Sequence, residues 1–292
     1  MASLKEVKGR IISVNNTRKI TSAMKMVASA KLHKAQAAIE SMLPYQQRLN
    51  HILTNFLSAD TEVQSPFTAE REEVKRVAVV VFASNTSLCG GFNANILRHL
   101  IIVLDEYRAK GMADKDLLVY PVGRKVAEGV KKMGVQAEGD FQHLADKPSY
   151  QEAAELAASL AELFLHREID KVELLYNHFQ STAVQVLTRE TFLPIDLAPA
   201  KAQAEGGRMP DYIVEPSVDE VMQKLLPKVL RMKMFTVALD SNAAEHAART
   251  MAMQIATDNA DDLLQELTVA YNKTRQQAIT NELLDIVGGS MA

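Results

Sequence analysis

Cys89 is the only thiol in the 292 residues. It lies in Ser84-Asn-Thr-Ser-Leu-Cys-Gly-Gly-Phe-Asn93, directly after a β-branched run. A thiol becomes a nucleophile when a helix N-terminus or a nearby histidine lowers its pKa, and a helix does follow this turn. The turn also invites a nucleotide-binding reading. A dinucleotide loop needs G-x-G-x-x-G so that the backbone can approach a pyrophosphate. Here Gly90 and Gly91 are adjacent and late, and no G-x-x-x-x-G-K-[ST] occurs. A tight turn into a helix, with a packed thiol, accounts for the segment better than either chemistry.

Other candidate groups lead no further. His33, His51, His99, His143, His166, His178 and His246 show no metal-ligand spacing and read as surface or partly packed residues. One cysteine excludes both an internal disulfide and a multi-cysteine metal site. Asp258, Asp261, Asp262 and Glu266 form an acidic cluster that faces either water or a basic partner helix. No catalytic, cofactor or metal site is expected.

Two polar stretches resist a bland reading. Arg18, Thr21 and Lys25 fall on seam positions of an otherwise apolar helix, where burying charge is costly. Either helical drift rotates them outward, or this stretch faces something other than its coiled-coil partner. Asn272-Lys-Thr-Arg-Gln276 concentrates polar groups on a helix that otherwise packs, and Arg275 with Gln276 could form directional hydrogen bonds to carboxylates of a surrounding protein.

The elements that carry these groups follow from periodicity. Leu4, Ile11, Leu32, Ile39 and Leu53, with Val7, Val14, Ala28, Ala35, Met42, Leu49 and Phe56, keep one heptad frame from residue 4 to 56. That pattern predicts a coiled-coil helix over 1–58, bent or divided at Pro44. Ser217-Val-Asp-Glu220 is a capping box that opens a second long helix over 217–292, with a bend at Pro227 and a stop at Gly288-Gly289. Its apolar positions include Ala256, Ala260, Leu263, Leu267 and Ala270. The two helices pair most simply as an antiparallel coiled coil.

Between them the period changes. Residues 77–83, 117–122, 135–141, 172–179 and 184–192 read as strands, the third weakly and the last two as a hairpin. Residues 92–110, 124–133 and 150–167 read as helices. The fold class is therefore α/β: a Rossmann-like, mostly parallel sheet with an antiparallel edge over 74–195, joined by a Pro- and Gly-containing connector over 196–216 to the second long helix.

Charge is unevenly distributed. The first 38 residues hold eight cations against one acid, Glu6, although the whole chain carries a net charge of −3. A basic arm on an acidic body points to an acidic partner. Nucleic acid is disfavoured, because the arm lacks interleaved aromatics and one of its faces is taken up by packing. No apolar run is long enough to span a bilayer, and no secretory signal is present.

Several stretches are specific enough to carry a resemblance. Lys19-Ile-Thr-Ser-Ala-Met-Lys-Met-Val-Ala-Ser-Ala-Lys31, Leu88-Cys-Gly-Gly-Phe-Asn93, Tyr212-Ile-Val-Glu-Pro216, Ala247-Ala-Arg249, Ala256-Thr-Asp-Asn-Ala260 and the segment 271–289 resemble, in order, the gamma subunit family of F-type ATP synthases. The resemblance implies a rotor shaft without catalytic residues. It implies partners: the α and β subunits of a catalytic hexamer, an epsilon subunit and a proton-driven membrane c-ring. It implies a peripheral place on the cytoplasmic face of a bacterial inner membrane. By the same resemblance Arg275, Gln276, Met24 and Lys25 contact β subunits. Ile279, Leu283, Ile286 and Val287 form a bearing tip. Tyr212, Glu215 and Pro216 lie near the foot. Asn85-Thr-Ser87 replaces the family's usual Asp-x-Gly, Thr250 stands where Met is usual, and Val229 and Lys233 replace a commoner aromatic and Gln. An α/β enzyme with helical extensions and a static coiled-coil scaffold are the competing classes.

Overall fold

The computed structural model describes residues 3–57, 65–69, 71, 73–196, 215 and 217–290. Helix α1 spans Leu4–Leu57 and passes through Pro44. Then follow β1 (Val77–Phe82), α2 (Phe92–Ala109), a 3-10 turn at Asp114–Asp116, β2 (Leu117–Val122), α3 (Arg124–Met133), α4 (Gln142–Asp146) and α5 (Tyr150–Leu165). Strands β3 (Lys171–Phe179) and β4 (Gln185–Leu193) form the hairpin, and α6 (Val218–Ser290) closes the described chain.

The sheet order is β2-β1-β3-β4. β1 pairs in parallel with β2 and β3, while β3 and β4 are antiparallel. β1 is apolar throughout because both of its faces are covered. Val77, Val79 and Val81 face Ile96, Leu100 and Leu104 of α2 and Val126 and Val130 of α3. Ala78, Val80 and Phe82 face Leu156, Leu160 and Phe164 of α5 and the foot of α6. The α/β unit is thus three layers thick, and α6 serves both as one of its covering helices and as half of the shaft.

Several sequence expectations need correction. Residues 135–141 do not form a strand; a single bridge joins Ala137 to Val119, and a short helix, α4, follows instead. α1 is not divided at Pro44, and α6 likewise continues through Pro227. A proline costs a helix interior about 3 kcal/mol, and here Leu49 and Leu53 beside Pro44, and Leu225, Leu226 and Leu230 beside Pro227, are buried in the same core and offset that loss. α6 runs past Gly288-Gly289 to Ser290, since a glycine costs a propagated helix only about 1 kcal/mol. Leu263 is 43% exposed, and Ala270 also faces out; the true seam passes through Leu264 and Tyr271. Most of the connector 196–216 lies outside the described residues.

Candidate functional site

The shaft is built by an antiparallel register that holds over its whole described length. Arg18 faces Asp261, Thr21 faces Thr257 and Lys25 faces Gln254. Further along, Leu32 and Ala35 pack with Ala243 and Ala247. Leu49 and Leu53 then share a core with Leu226 and Leu230. Small residues at the Ala28–Ala35 stretch let the two backbones approach, and all three of Ala28, Leu32 and Ala35 are buried.

The three seam-breaking residues have partners within the shaft. The Arg18 guanidinium donates to Asp261 at 2.8 Å, the Thr21 and Thr257 hydroxyls lie 2.9 Å apart, and the Lys25 ammonium donates to Gln254 at 2.8 Å. Gln254 in turn donates to Asp258 at 2.7 Å. Both sequence readings of this stretch are therefore corrected: it neither rotates out of the seam nor faces away from its coiled-coil partner. Polar residues on one helix are answered at the same level by polar residues on the other. The acidic cluster is split in the same way, with Asp261 taken by Arg18 and Asp258 by Gln254.

Carrying the register to the start of α1 puts Leu4 beside residue 275. Val7 is buried there, and Tyr271 and Thr274 are half-buried. Beyond that level no second helix accompanies α6 among the described residues. From Arg275 to Ser290 it adds about 22 Å at 1.5 Å per residue. Arg275 and Gln276 stand at the root of this overhang, exposed and with no side-chain partner among the described residues. Ile279, Leu283, Ile286 and Val287 are 45–68% exposed along it. The exposed Ile, Leu and Val side chains of this overhang are poorly suited to water and well suited to a surrounding wall.

Of the remaining predicted residues, Met24 is half-buried beside Lys25, while Met26 and Val27 present 70% and 59% of their surface outward. Glu215 is exposed, whereas Tyr212 and Pro216 fall outside the described residues. Lys233 pairs with Glu190 of β4 at 2.8 Å.

The turn after β1 is held from two sides. Ser84 N–H and hydroxyl both donate to Asn93 Oδ1, at 3.1 and 2.9 Å. Cys89 is buried and accepts from Asn93 Nδ2 at 3.2 Å, which fits a packed thiol. Leu88 takes a positive φ of 69° and is 61% exposed, so the turn offers an apolar side chain to its surroundings. From the other side Arg249 of α6 donates to Thr86 Oγ1 at 2.8 Å and to Glu245 at 2.5 Å.

Sequence reasoning missed this last group. Glu245, His246 and Arg249 are one turn of α6 buried between shaft and sheet unit; His246 is only 3% exposed, against the expectation of a surface or partly packed ring. Burial raises the Glu245 carboxyl, and the adjacent Arg249 guanidinium partly opposes that rise. Burial, then Lys31 and Arg249, pushes His246 down to about 4. The Glu245–Arg249 spacing of four was the available signal. Among the described residues no cluster could hold a metal, and no helix is long and apolar enough to cross a membrane.

Comparison with known proteins gives a consistent assignment. The family model described as ATP synthase matches residues 3–292. The chain is 81% identical to the ATP synthase gamma chain of Phocaeicola vulgatus over all 292 residues, covering 100% of each. It is 50% identical to that of Parabacteroides distasonis over 99% of both chains. Among solved structures it aligns with a chain of the Euglena gracilis mitochondrial ATP synthase rotor with a TM-score of 0.62 at 18% identity, covering 94% of this chain and 98% of that one. A fold of two long helices around an α/β unit, a second helix that outruns its own coiled coil, and this likeness over the full chain agree: the chain belongs to the ATP synthase gamma-chain family.

Proposed function

We propose that this chain is the central-stalk rotor that couples proton-driven turning of a membrane c-ring to conformational cycling of β subunits, and that it holds no active site of its own. The observation that carries the reading is the lone overhang of α6. A smooth apolar tip, Ile279, Leu283, Ile286 and Val287, turns in an apolar collar because no single angle is held by a strong polar contact. Arg275 and Gln276, without side-chain partners among the described residues, then act as a catch at the root of the tip. Their donors can meet carboxylates of one β subunit at a time, so each angle favours a different state of the three.

The wider shaft surface supports the same reading. Met24 lies where a β subunit meets the shaft, with the exposed Met26 and Val27 beside it. Lys25 bonds Gln254 through one of its three donors, and that neutral amide leaves its charge available to a carboxylate of the β subunit. Tyr212, Glu215 and Pro216 belong to the foot, toward an epsilon subunit and the c-ring. The whole assembly sits peripherally on the cytoplasmic face of the bacterial inner membrane.

The test is ATP hydrolysis by α and β subunits co-expressed with this chain, compared with Arg275→Ala plus Gln276→Ala. Co-purification at one chain per hexamer, turnover that depends on the chain, and lower turnover in the double variant are expected. Failure to associate would remove the rotor reading. Association with full activity in the variant would remove the catch alone, and association without any effect of the chain on turnover would favour a static scaffold.

A further inference from the structure

A cleft of about 820 Å³ opens at the amino ends of the three parallel strands, the end opposite the turn described above. Its wall carries six cations, Lys75, Arg76, Lys110, Lys115, Lys171 and Arg189, against two carboxylates, Glu73 and Asp116. The cations are held in different ways. Behind the wall, Glu173 is buried and accepts from Tyr107 Oη, Lys171 Nζ and Arg189 Nε, each at 2.8 Å. Burial would raise that carboxyl, but the hydrogen bonds from Arg189, Lys171 and Tyr107 outweigh it and keep it ionised below the usual range. Arg189 also reaches Glu106 at 2.5 Å. Lys171 and Arg189 are thus fixed in place as a rigid floor. Asp170 spends its charge on the backbone amides of Lys75 and Arg76, at 2.8 and 3.0 Å.

Two cations of the wall, Lys110 and Lys115, make no ion pair among the described residues, and a third, Arg76, makes only a long one. Lys110 lies over the Tyr107 ring at 5.4 Å. The Arg76 Nε atom is buried without a hydrogen-bond acceptor and reaches Asp116 only as a long ion pair at 3.9 Å. Such a cluster of weakly paired cations repels itself until an anion enters. The end of α2 does not need these lysines as caps. Lys110 N–H and Met112 N–H donate to the Tyr107 carbonyl, and Gly111 N–H donates to that of Arg108.

We propose that this cleft binds a multivalent phosphate anion, with Lys110, Lys115 and Arg76 as its ligands. Spread cations around a cleft of this size suit several phosphate oxygens better than one carboxylate. The planar guanidinium of Arg76 supplies directional donors, and the two lysines supply mobile point charges. The inference does not depend on the rotor reading, since it uses only the α/β unit.

Calorimetric titration of the isolated full-length chain with inorganic pyrophosphate tests it, away from any nucleotide site on other subunits. Saturable one-to-one binding is expected, with orthophosphate weaker. Affinity should fall at least about tenfold in Lys110→Gln plus Lys115→Gln. It should hold in Lys224→Gln plus Lys228→Gln, which removes exposed α6 cations elsewhere. Thermal melts of both variants verify that they fold. Absence of binding by the wild-type chain overturns the proposal. So does equal loss in the two variants, which would mean diffuse charge attraction, and so does a fall in melting temperature with unchanged binding, which would make the two lysines helix-end stabilisers.

Discussion

Arg249 on α6 donates to Thr86 Oγ1 at 2.8 Å across 163 residues of sequence. With its other end on Glu245, it is the bolt that fastens the turn after β1 to the shaft. Arg249→Ala leaves the Glu245 carboxyl buried and unpaired and releases the turn. Breaking a buried pair from one side costs about 3 kcal/mol; Glu245's raised pKa lets it protonate and trims that figure. The melting temperature should drop clearly. The double variant Arg249→Ala plus Glu245→Gln should recover part of the loss, because no charge is then stranded. No drop in the single variant would show that the bolt carries nothing.

The polar layer of Arg18, Thr21 and Lys25 against Asp261, Thr257 and Gln254 gives no more than a surface-like contribution to stability, since its members are partly exposed. Its value is register. Replacing it with Arg18→Leu, Thr21→Val, Lys25→Leu and Asp261→Leu should leave the melting temperature equal or higher. Register should loosen. A disulfide between Ala35→Cys and Ala243→Cys, which share one packed cluster, reports the native alignment. Ala35→Cys with Thr250→Cys reports a slip of one heptad. Detectable slipped disulfide only in the apolar background is expected; none would show that packing alone sets the alignment.

His246 makes the folded chain acid-sensitive. Its pKa is pushed down to about 4, from 6.5 for a free ring. Between those values the unfolded chain binds the proton and the folded chain does not, so stability falls as pH drops through the window. The full effect is about 3 kcal/mol. Lys31, Arg249 and Asp146 face the same ring, and Glu245, raised by burial, acts in the opposite sense at the acid end. His246→Gln should flatten the dependence of melting temperature on pH between 6.5 and 5. An unchanged slope would locate the acid sensitivity elsewhere.

Gly123 joins β2 to α3 with a φ of 109°, and a Cβ there would lie 2.3 Å from the Ala83 carbonyl oxygen. Both strain and clash are with backbone, which cannot move aside. Gly123→Ala should cost at least about 2 kcal/mol. Gly111 also has a positive φ but open space around it, so Gly111→Ala should cost less. Equal losses at the two sites, measured by urea denaturation, would contradict the clash.

Much of the fold is legible in the amino-acid sequence alone. The heptad frame from Leu4 to Leu53 is borne out in burial, every seam position being buried or half-buried. The unbroken apolar run at Val77 announces a strand covered on both faces, and the Ser217 cap opens α6 by accepting from Glu220 N–H at 3.3 Å. These are local patterns, repeating within one or two turns, and the chain states them directly. The seam of α6 is harder to read. Alanines occur all round that helix, so spacing does not separate Leu263, which faces out, from Leu264, which faces in.

What only the tertiary structure decided are pairings across long sequence distances. Nothing near Arg18 names Asp261, nothing near Thr86 names Arg249, and nothing near Tyr107 names Glu173. Each pairing depends on the alignment of two whole elements, which is the summed result of packing along their full length. The length of the α6 overhang is decided in the same way: it is the part of one helix left over once the register of the pair is set, and neither helix encodes that register alone.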